Sequence, residues 1–249
     1  MKRAIDRVLR IFFTFCYVIF FIVGTLLVCM FVIMVSPFDR KGNMAHYASK
    51  FWSLFNVFLS GTRIVIHGKD KIKKGQKYIV MSNHQSMFDV LALIGKLPLQ
   101  IRWIIKSEIR KVPVFGYTLG RVGHIYIDRK RREDAYLSLD TAVRKIKEGT
   151  SVVIFPEGTR SRNGRLLKFR YGGAIMAIKS GVPILPVTVN GGRFVLPRDT
   201  LSLRPGRIKI IVGDTIDPGR FDKNSKSELM AHVKSAIDKN LDLEYGANQ

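Results

Sequence analysis

Tyr78-Ile79-Val80-Met81-Ser82-Asn83-His84-Gln85-Ser86-Met87-Phe88-Asp89 joins a short apolar run to a polar corner, and Val90-Leu91-Ala92-Leu93-Ile94 follows it. The spacing predicts a buried strand over Tyr78–Ser82, a loop holding His84, and a helix over Met87–Gly95. A histidine on a strand-to-helix corner, with a carboxylate five positions later, has the parts of a general-base site. Imidazole titrates nearest to working pH, and a carboxylate on one ring nitrogen fixes its tautomer and stabilises the imidazolium. Asp89 in the first helical turn is also favoured by the helix dipole. The same letters carry a plainer reading: Ser86-x-x-Asp89 is a capping-box variant, with His84 a polar corner residue.

Outward from this stretch the pattern repeats. Thr62–His67 alternates like a strand, Ile101–Ile105 is another ending at Lys106, and Val112–Arg121 contains Pro113, Gly116 and Gly120, which predicts a short helix between loops. His124–Asp128 reads as a strand delivering Arg129-Lys130-Arg131-Arg132. A helix with Tyr136, Leu139, Val143 and Ile146 on one face and Gly149 past its end comes next. Ser151–Phe155 is a continuous apolar strand, Pro183–Asn190 and Arg207–Val212 are further strands, and Ser225-x-x-Glu228 opens a last helix with Leu229, Val233, Ile237 and Leu241 in phase. Strands alternating with helices predict an α/β fold, a mostly parallel mixed sheet flanked by helices.

Residues 11–38 hold no charged side chain, and Ile11–Val35 is almost unbroken Phe, Ile, Val, Leu, Met and Cys. As a helix this run is about 37 Å long, more than the roughly 30 Å core of a bilayer. It is too long for a signal-peptide core, and no small-residue cleavage site precedes Ser36-Pro37. A second helix puts Met44, Tyr47, Ala48, Phe51, Trp52, Phe55, Phe58 and Leu59 on one side and His46, Lys50, Ser53 and Asn56 on the other. That pattern fits a membrane interface, or equally a core with aromatic filling. Residues 1–60 are therefore expected to be a membrane-associated two-helix segment and 61–249 a catalytic domain. Lys2, Arg3, Arg7 and Arg10 before the apolar run, and Arg40, Lys41 and Lys50 after it, pull both ends toward the cytoplasm, so the first helix is expected to dip into the bilayer and return near Ser36-Pro37. Cys16 and Cys29, about 20 Å apart on one helix, cannot bridge each other.

Forty-two Lys and Arg against 19 Asp and Glu, a formal charge of +23, point to anionic partners. Nucleic acid is not expected, because few aromatic side chains interleave the basic runs. Phe155-Pro156-Glu157-Gly158-Thr159-Arg160-Ser161 follows the most buried-looking strand. In α/β sheets the loops at the carboxyl ends of strands hold ligands. Gly158 can take positive φ, Thr159 and Ser161 can donate to phosphate oxygens, Arg160 can clamp a phosphate, and Glu157 can position Arg160 or meet a substrate hydroxyl. An ordinary turn with a surface Glu–Arg pair is the alternative. Arg162, Arg165, Lys168 and Arg170 form either a solvated face or a contact to anionic headgroups. There is no Gly-x-Ser-x-Gly, His-Glu-x-x-His, Walker A, Gly-x-Gly-x-x-Gly or Cys-x-x-Cys pattern, and a histidine base without a protein nucleophile implies an attacking hydroxyl on the substrate.

Asn83-His84-x-x-x-x-Asp89, Gly123–Arg129, Phe155–Ser161 and Val182–Val187 stand in the order of the four blocks of the glycerolipid acyltransferase family. The chain resembles most the 1-acyl-glycerol-3-phosphate acyltransferases, over roughly residues 60–215. The resemblance implies that His84, oriented by Asp89, deprotonates the sn-2 hydroxyl of a lysophosphatidate, which attacks an acyl thioester directly. It implies a phosphate held by Arg160, with Glu157, Gly158 and Thr159 in its loop and Arg129 similarly placed. Lys106 is a further phosphate candidate from its strand-end position. The block around Pro183 and Pro186 is implied in donor binding, or is structural. No cofactor or metal is expected; acyl-CoA or acyl carrier protein is the expected co-substrate, anionic membrane lipid a partner, and the cytoplasmic face of the cell membrane the location. A different acceptor, or a non-catalytic basic membrane-binding protein, would be the alternatives.

Overall fold

The computed structural model describes residues 2–128, 132–200 and 202–247. Among them seven strands form one sheet: β1 (Arg63–His67), β2 (Ile79–Ser82), β3 (Ile101–Lys106), β4 (Ile125–Ile127), β5 (Ser151–Ile154), β6 (Ile184–Asn190) and β7 (Arg207–Val212). Their order is β1-β7-β6-β2-β5-β3-β4, and neighbours are parallel except β6 and β7. The expected mixed, mostly parallel α/β sheet is the one observed.

The sheet is covered on both faces, and its central strands β2, β5 and β6, mostly apolar, are buried at every position. Ile79 and Met81 point to one side, where they meet α5 (Arg132–Lys147), α6 (Gly172–Ser180) and α8 (Lys226–Asp238) through Ala142, Ile146, Ala174, Met176, Leu229 and Val233. Tyr78 and Val80 point to the other, where Phe88, Ala92 and Leu93 of α3 (Met87–Lys96) close over them. This period-two division of β2 is what a strand between two helical layers requires. Each fully buried large aliphatic contributes about 1.5–3 kcal/mol of transfer free energy, so the faces hold the sheet without help from its short ladders.

Three local expectations are corrected. Ser225 sits at the N-cap of α8, but its hydroxyl is taken by Asp222 instead of capping the helix. That helix ends at Asp238, so Leu241 lies beyond it. Pro186 lies inside β6, opposite Met81, and does not flank the strand; the β6–β7 pairing begins one residue later at Val187, so the missing N–H falls where the ladder has ended. In α5, Leu139, Val143 and Ile146 join the core, while the Tyr136 side chain lies outside the described residues.

The N-terminal segment is an antiparallel hairpin of α1 (Lys2–Val35) and α2 (Asn43–Leu59). Phe20 and Phe21 meet Trp52, whose indole donates to Thr25 at 3.2 Å. A Cβ at Gly24 would fall 2.0 Å from the Trp52 ring, so the two helices approach only because residue 24 has no side chain. Asp39 in the turn accepts from the N–H groups of Asn43 and Ala45 and caps α2. Toward the sheet α2 presents its polar side: His46, Ser53 and Asn56 are buried, whereas Tyr47, Phe51 and Phe58 are 68, 69 and 76% exposed. An aromatic core face is thereby ruled out. α1 carries a 28-residue stretch, Val8–Val35, long and apolar enough to cross a membrane. It lies along the domain, with Tyr17 near its middle against Phe88 and Ser36, just past its C-terminal end, accepting from Arg121 at the end of α4 (Phe115–Arg121).

Candidate active site

β2 and β5 are parallel neighbours with Met81 level with Ile154. The chain leaves β2 for α3 on one face and leaves β5 for α6 on the other, so a crevice opens between their carboxyl ends, the usual ligand position in such sheets. Three residues past each register pair stand His84 and Glu157. The Glu157 carboxylate accepts the His84 main-chain N–H at 2.8 Å and the Leu167 N–H at 2.9 Å. Ser161 N–H donates to the His84 carbonyl at 2.7 Å. The two motif loops are thus laced together through main chain.

His84 Nδ1 lies 3.0 Å from Asp89 Oδ2, and that oxygen also accepts from the N–H groups of Gln85 and Ser86 at 2.6 and 2.7 Å. Asp89 is wholly buried, and Ser86 caps α3 in a reciprocal capping box with it. The oxygen that accepts the Ser86 N–H of the capping box is therefore also the one that faces the imidazole. The geometry favours Nδ1–H toward the carboxylate, leaving Nε2 as the proton acceptor. The ring stacks on Phe155 at 3.9 Å between centroids and 7° between planes, and Phe155 stacks in turn on Trp103. A flat apolar wall of this kind fixes the ring plane.

The remaining sequence candidates spread around the crevice. Glu157 is buried and spent on main-chain donors; burial pushes its carboxyl above the ordinary carboxylate range, and the two N–H bonds oppose that rise. Its position is that of a clasp between loops, and its closest links run to the main chain of His84 and Leu167. Gly158 has φ +74°, and Thr159 is exposed. Ser161 is buried, its hydroxyl donating to the Arg165 carbonyl at 2.7 Å, which makes it a brace inside the loop. Arg160 reaches toward Asp199 at 4.0 Å. Lys106 ends β3 on the same side of the sheet, exposed and paired with Glu108 at 2.9 Å. Arg129 lies outside the described residues.

Three contributors carry no motif signal. Arg198 and Asp199 stand beside Arg160 and Arg162 through a loop far along the chain, and only a count of unassigned arginines could have drawn attention to them. Gly192, in α7 (Gly192–Val195), lies against Asp89: a Cβ there would fall 2.1 Å from Oδ1. His124, by contrast, accepts the Trp103 N–H on Nδ1 at 3.0 Å, and desolvation pushes it down to about 3, so it is a neutral structural acceptor.

The covered α/β sheet thus carries a carboxylate-paired imidazole at a strand-end crevice, with Arg160 in the adjoining loop. A protein-family model described as Acyltransferase matches residues 53–190, more than half of the chain. The chain is 30% identical over 198 residues to the 1-acyl-sn-glycerol-3-phosphate acyltransferase of Pseudomonas aeruginosa, covering 78% of this chain and 74% of that one. It is 29% identical over 215 residues to a chloroplastic 1-acyl-sn-glycerol-3-phosphate acyltransferase of Arabidopsis thaliana, covering 86% of this chain and 58% of that protein. The crystal structure of the 1-acyl-sn-glycerophosphate acyltransferase PlsC from Thermotoga maritima superposes with a TM-score of 0.81 at 25% identity, covering 94% of this chain and 95% of that one. The chain belongs to the acyltransferase family. It spans somewhat more than half the length of the plant relatives it matches.

Proposed function

We propose that the protein transfers a fatty acyl group from an acyl thioester, carried by coenzyme A or acyl carrier protein, to the sn-2 hydroxyl of 1-acyl-glycerol-3-phosphate, making phosphatidate. The observation that carries this reading is the His84–Asp89 pair held at the crevice beside Arg160. The hydroxyl proton passes to Nε2 of His84 as the oxygen forms its bond to the thioester carbonyl carbon. The C–S bond then breaks, and the thiolate takes the proton from the imidazolium. Arg160, with Lys106 at a neighbouring strand end and Arg129 by its place in the second sequence block, supplies cations for the phosphate, while Gly158 and Thr159 shape the loop and Glu157 holds it to His84.

Purified protein with a long-chain acyl thioester and 1-acyl-glycerol-3-phosphate is expected to release thiol and form phosphatidate in equal amounts. In His84→Ala the rate should fall by about 10²–10⁴, the usual contribution of a positioned base. Transfer to another acceptor alone would move the substrate and keep the mechanism. No transfer to any acceptor, or full activity in the variant, would sink it.

Residues 1–60 act as the membrane mount and 61–249 as the catalytic domain, placed at the cytoplasmic face of the cell membrane and drawn to anionic lipid. The contacts of the middle and the C-terminal end of α1 with the domain support a helix lying in one leaflet, since an upright crossing would pull the domain into the bilayer with it. Protease added to the extracytoplasmic side of sealed vesicles should reach neither an N-terminal epitope nor residues 61–249; cleavage of either would overturn the arrangement.

A further inference from the structure

Beyond the residues matched by the family model, the chain from Gly191 to Thr200 runs across both halves of the crevice. It starts with Gly192 against Asp89, and Ser86 donates its hydroxyl to the Leu196 carbonyl at 2.8 Å. Arg198 then turns toward the phosphate-side loop. Its Nη1 donates to the main-chain carbonyl of Arg160, and its Nε lies 3.3 Å from Asp199 Oδ2. That carboxylate also accepts from Arg162 at 3.1 Å and stands 4.0 Å from the Arg160 guanidinium. Asp199 has φ +63°, a conformation that non-glycine residues adopt rarely and keep where their surroundings hold them. Further on, the chain is tied to α1, where the Leu203 N–H donates to Thr14 at 3.3 Å.

We propose that Arg198 is a positioning residue for the acceptor: it fixes the main chain of Arg160, while Asp199 occupies Arg198 and Arg162 and leaves the Arg160 guanidinium for a phosphomonoester. The three arginines differ in how fully they are engaged. Arg162 meets the carboxylate through both Nε and Nη2, and Arg198 uses one group on the carboxylate and one on a carbonyl. Among the described residues Arg160 has only the 4.0 Å approach. A guanidinium whose backbone is fixed and whose donors are largely unspent is preorganised for a bidentate phosphate contact. This inference rests on the acyl-transfer reading above and adds the residue that sets acceptor affinity within it.

The test is a double-mutant cycle on the full chain in mixed vesicles, with 1-oleoyl-glycerol-3-phosphate and whichever oleoyl thioester supports turnover. Arg198→Gln should raise the acceptor KM about tenfold, the factor for losing one charge-assisted bond, with kcat and donor KM within about twofold. Arg198→Lys should recover part of that loss. In an Arg160→Gln background, Arg198→Gln should change the acceptor KM little further, because it acts through Arg160. A multiplicative rise in both backgrounds would mean that Arg198 binds phosphate directly, and a fall in kcat with a rise in both KM values would mean a general structural role; either overturns the inference. If Arg160→Gln by itself left the acceptor KM unchanged, the phosphate reading would fail first and this inference with it.

Discussion

At the scale of single residues, Asp89 has two duties on one oxygen, and they can be separated. Asp89→Asn preserves volume and can still accept main-chain N–H bonds, but it presents an amide to the imidazole and removes the charge that stabilises imidazolium. Its kcat is expected to fall by about 10²–10⁴, with acceptor KM nearly unchanged. Ser86→Ala removes only the cap and the bond to Leu196; unfolding free energy should drop by about 1–2 kcal/mol while kcat stays within a few-fold. Equal loss of activity in both variants would mean that Asp89 acts only through the helix cap. His124 shows why residue type alone does not assign a base. Its Nδ1 receives a main-chain N–H, so no carboxylate orients it and nothing stabilises its charged form.

At the scale of elements, α2 inverts the usual amphipathic arrangement. Its His46, Ser53 and Asn56 are buried together with Ala45 and Val57, Trp52 packs on Phe20 and Phe21 of α1, and Tyr47, Phe51 and Phe58 face outward. Tyr47, Phe51 and Phe58 are thus available to a leaflet. Replacing all three with Ser should weaken co-sedimentation with liposomes by roughly tenfold or more per residue, given about 1.5–3 kcal/mol per buried large side chain. Thermal stability in detergent should be unchanged because these side chains are exposed. Unaltered partitioning would remove α2 from the membrane contact and leave α1 alone in that role.

At the scale of the molecule, Arg102 joins the hairpin to the sheet. Its guanidinium is buried and donates to the carbonyls of Ile101, Lys41 and Gly42 at 3.1, 2.8 and 3.0 Å. Around it, desolvation and the nearby cation hold His46 down to about 4 and His124 down to about 3. Both histidines fold neutral, whereas in the unfolded chain they protonate near 6.5. Their folded forms are fully stable above that value, and as pH falls from 6.5 toward 4 the unfolded chain binds more protons. Stability should therefore decline by roughly 1.4 kcal/mol per pH unit for each histidine across the window. Denaturation of the detergent-solubilised protein at a series of pH values measures this, and His46→Gln should flatten the slope. A flat profile in the parent protein would show that the cluster opens to water.

What the sequence determined by itself was local: the strand-loop-helix of Tyr78–Gly95, the dyad within it, the length of α1 and the alternation that makes a covered parallel sheet. These depend on near neighbours, since a histidine and a carboxylate five positions apart on one corner have little choice but to meet, and periodicity reports which faces are apolar. Tertiary structure decided the rest. It set Glu157 on the His84 main chain, turned the polar edge of α2 inward, placed Ser161 inside its loop, and brought Arg198 to Arg160, 38 positions away in the chain. Those contacts carry no pattern because a main-chain carbonyl accepts from, and a main-chain N–H donates to, any suitably placed partner. Only the register of β2 on β5 and the path of the chain after β6 choose which side chain arrives there.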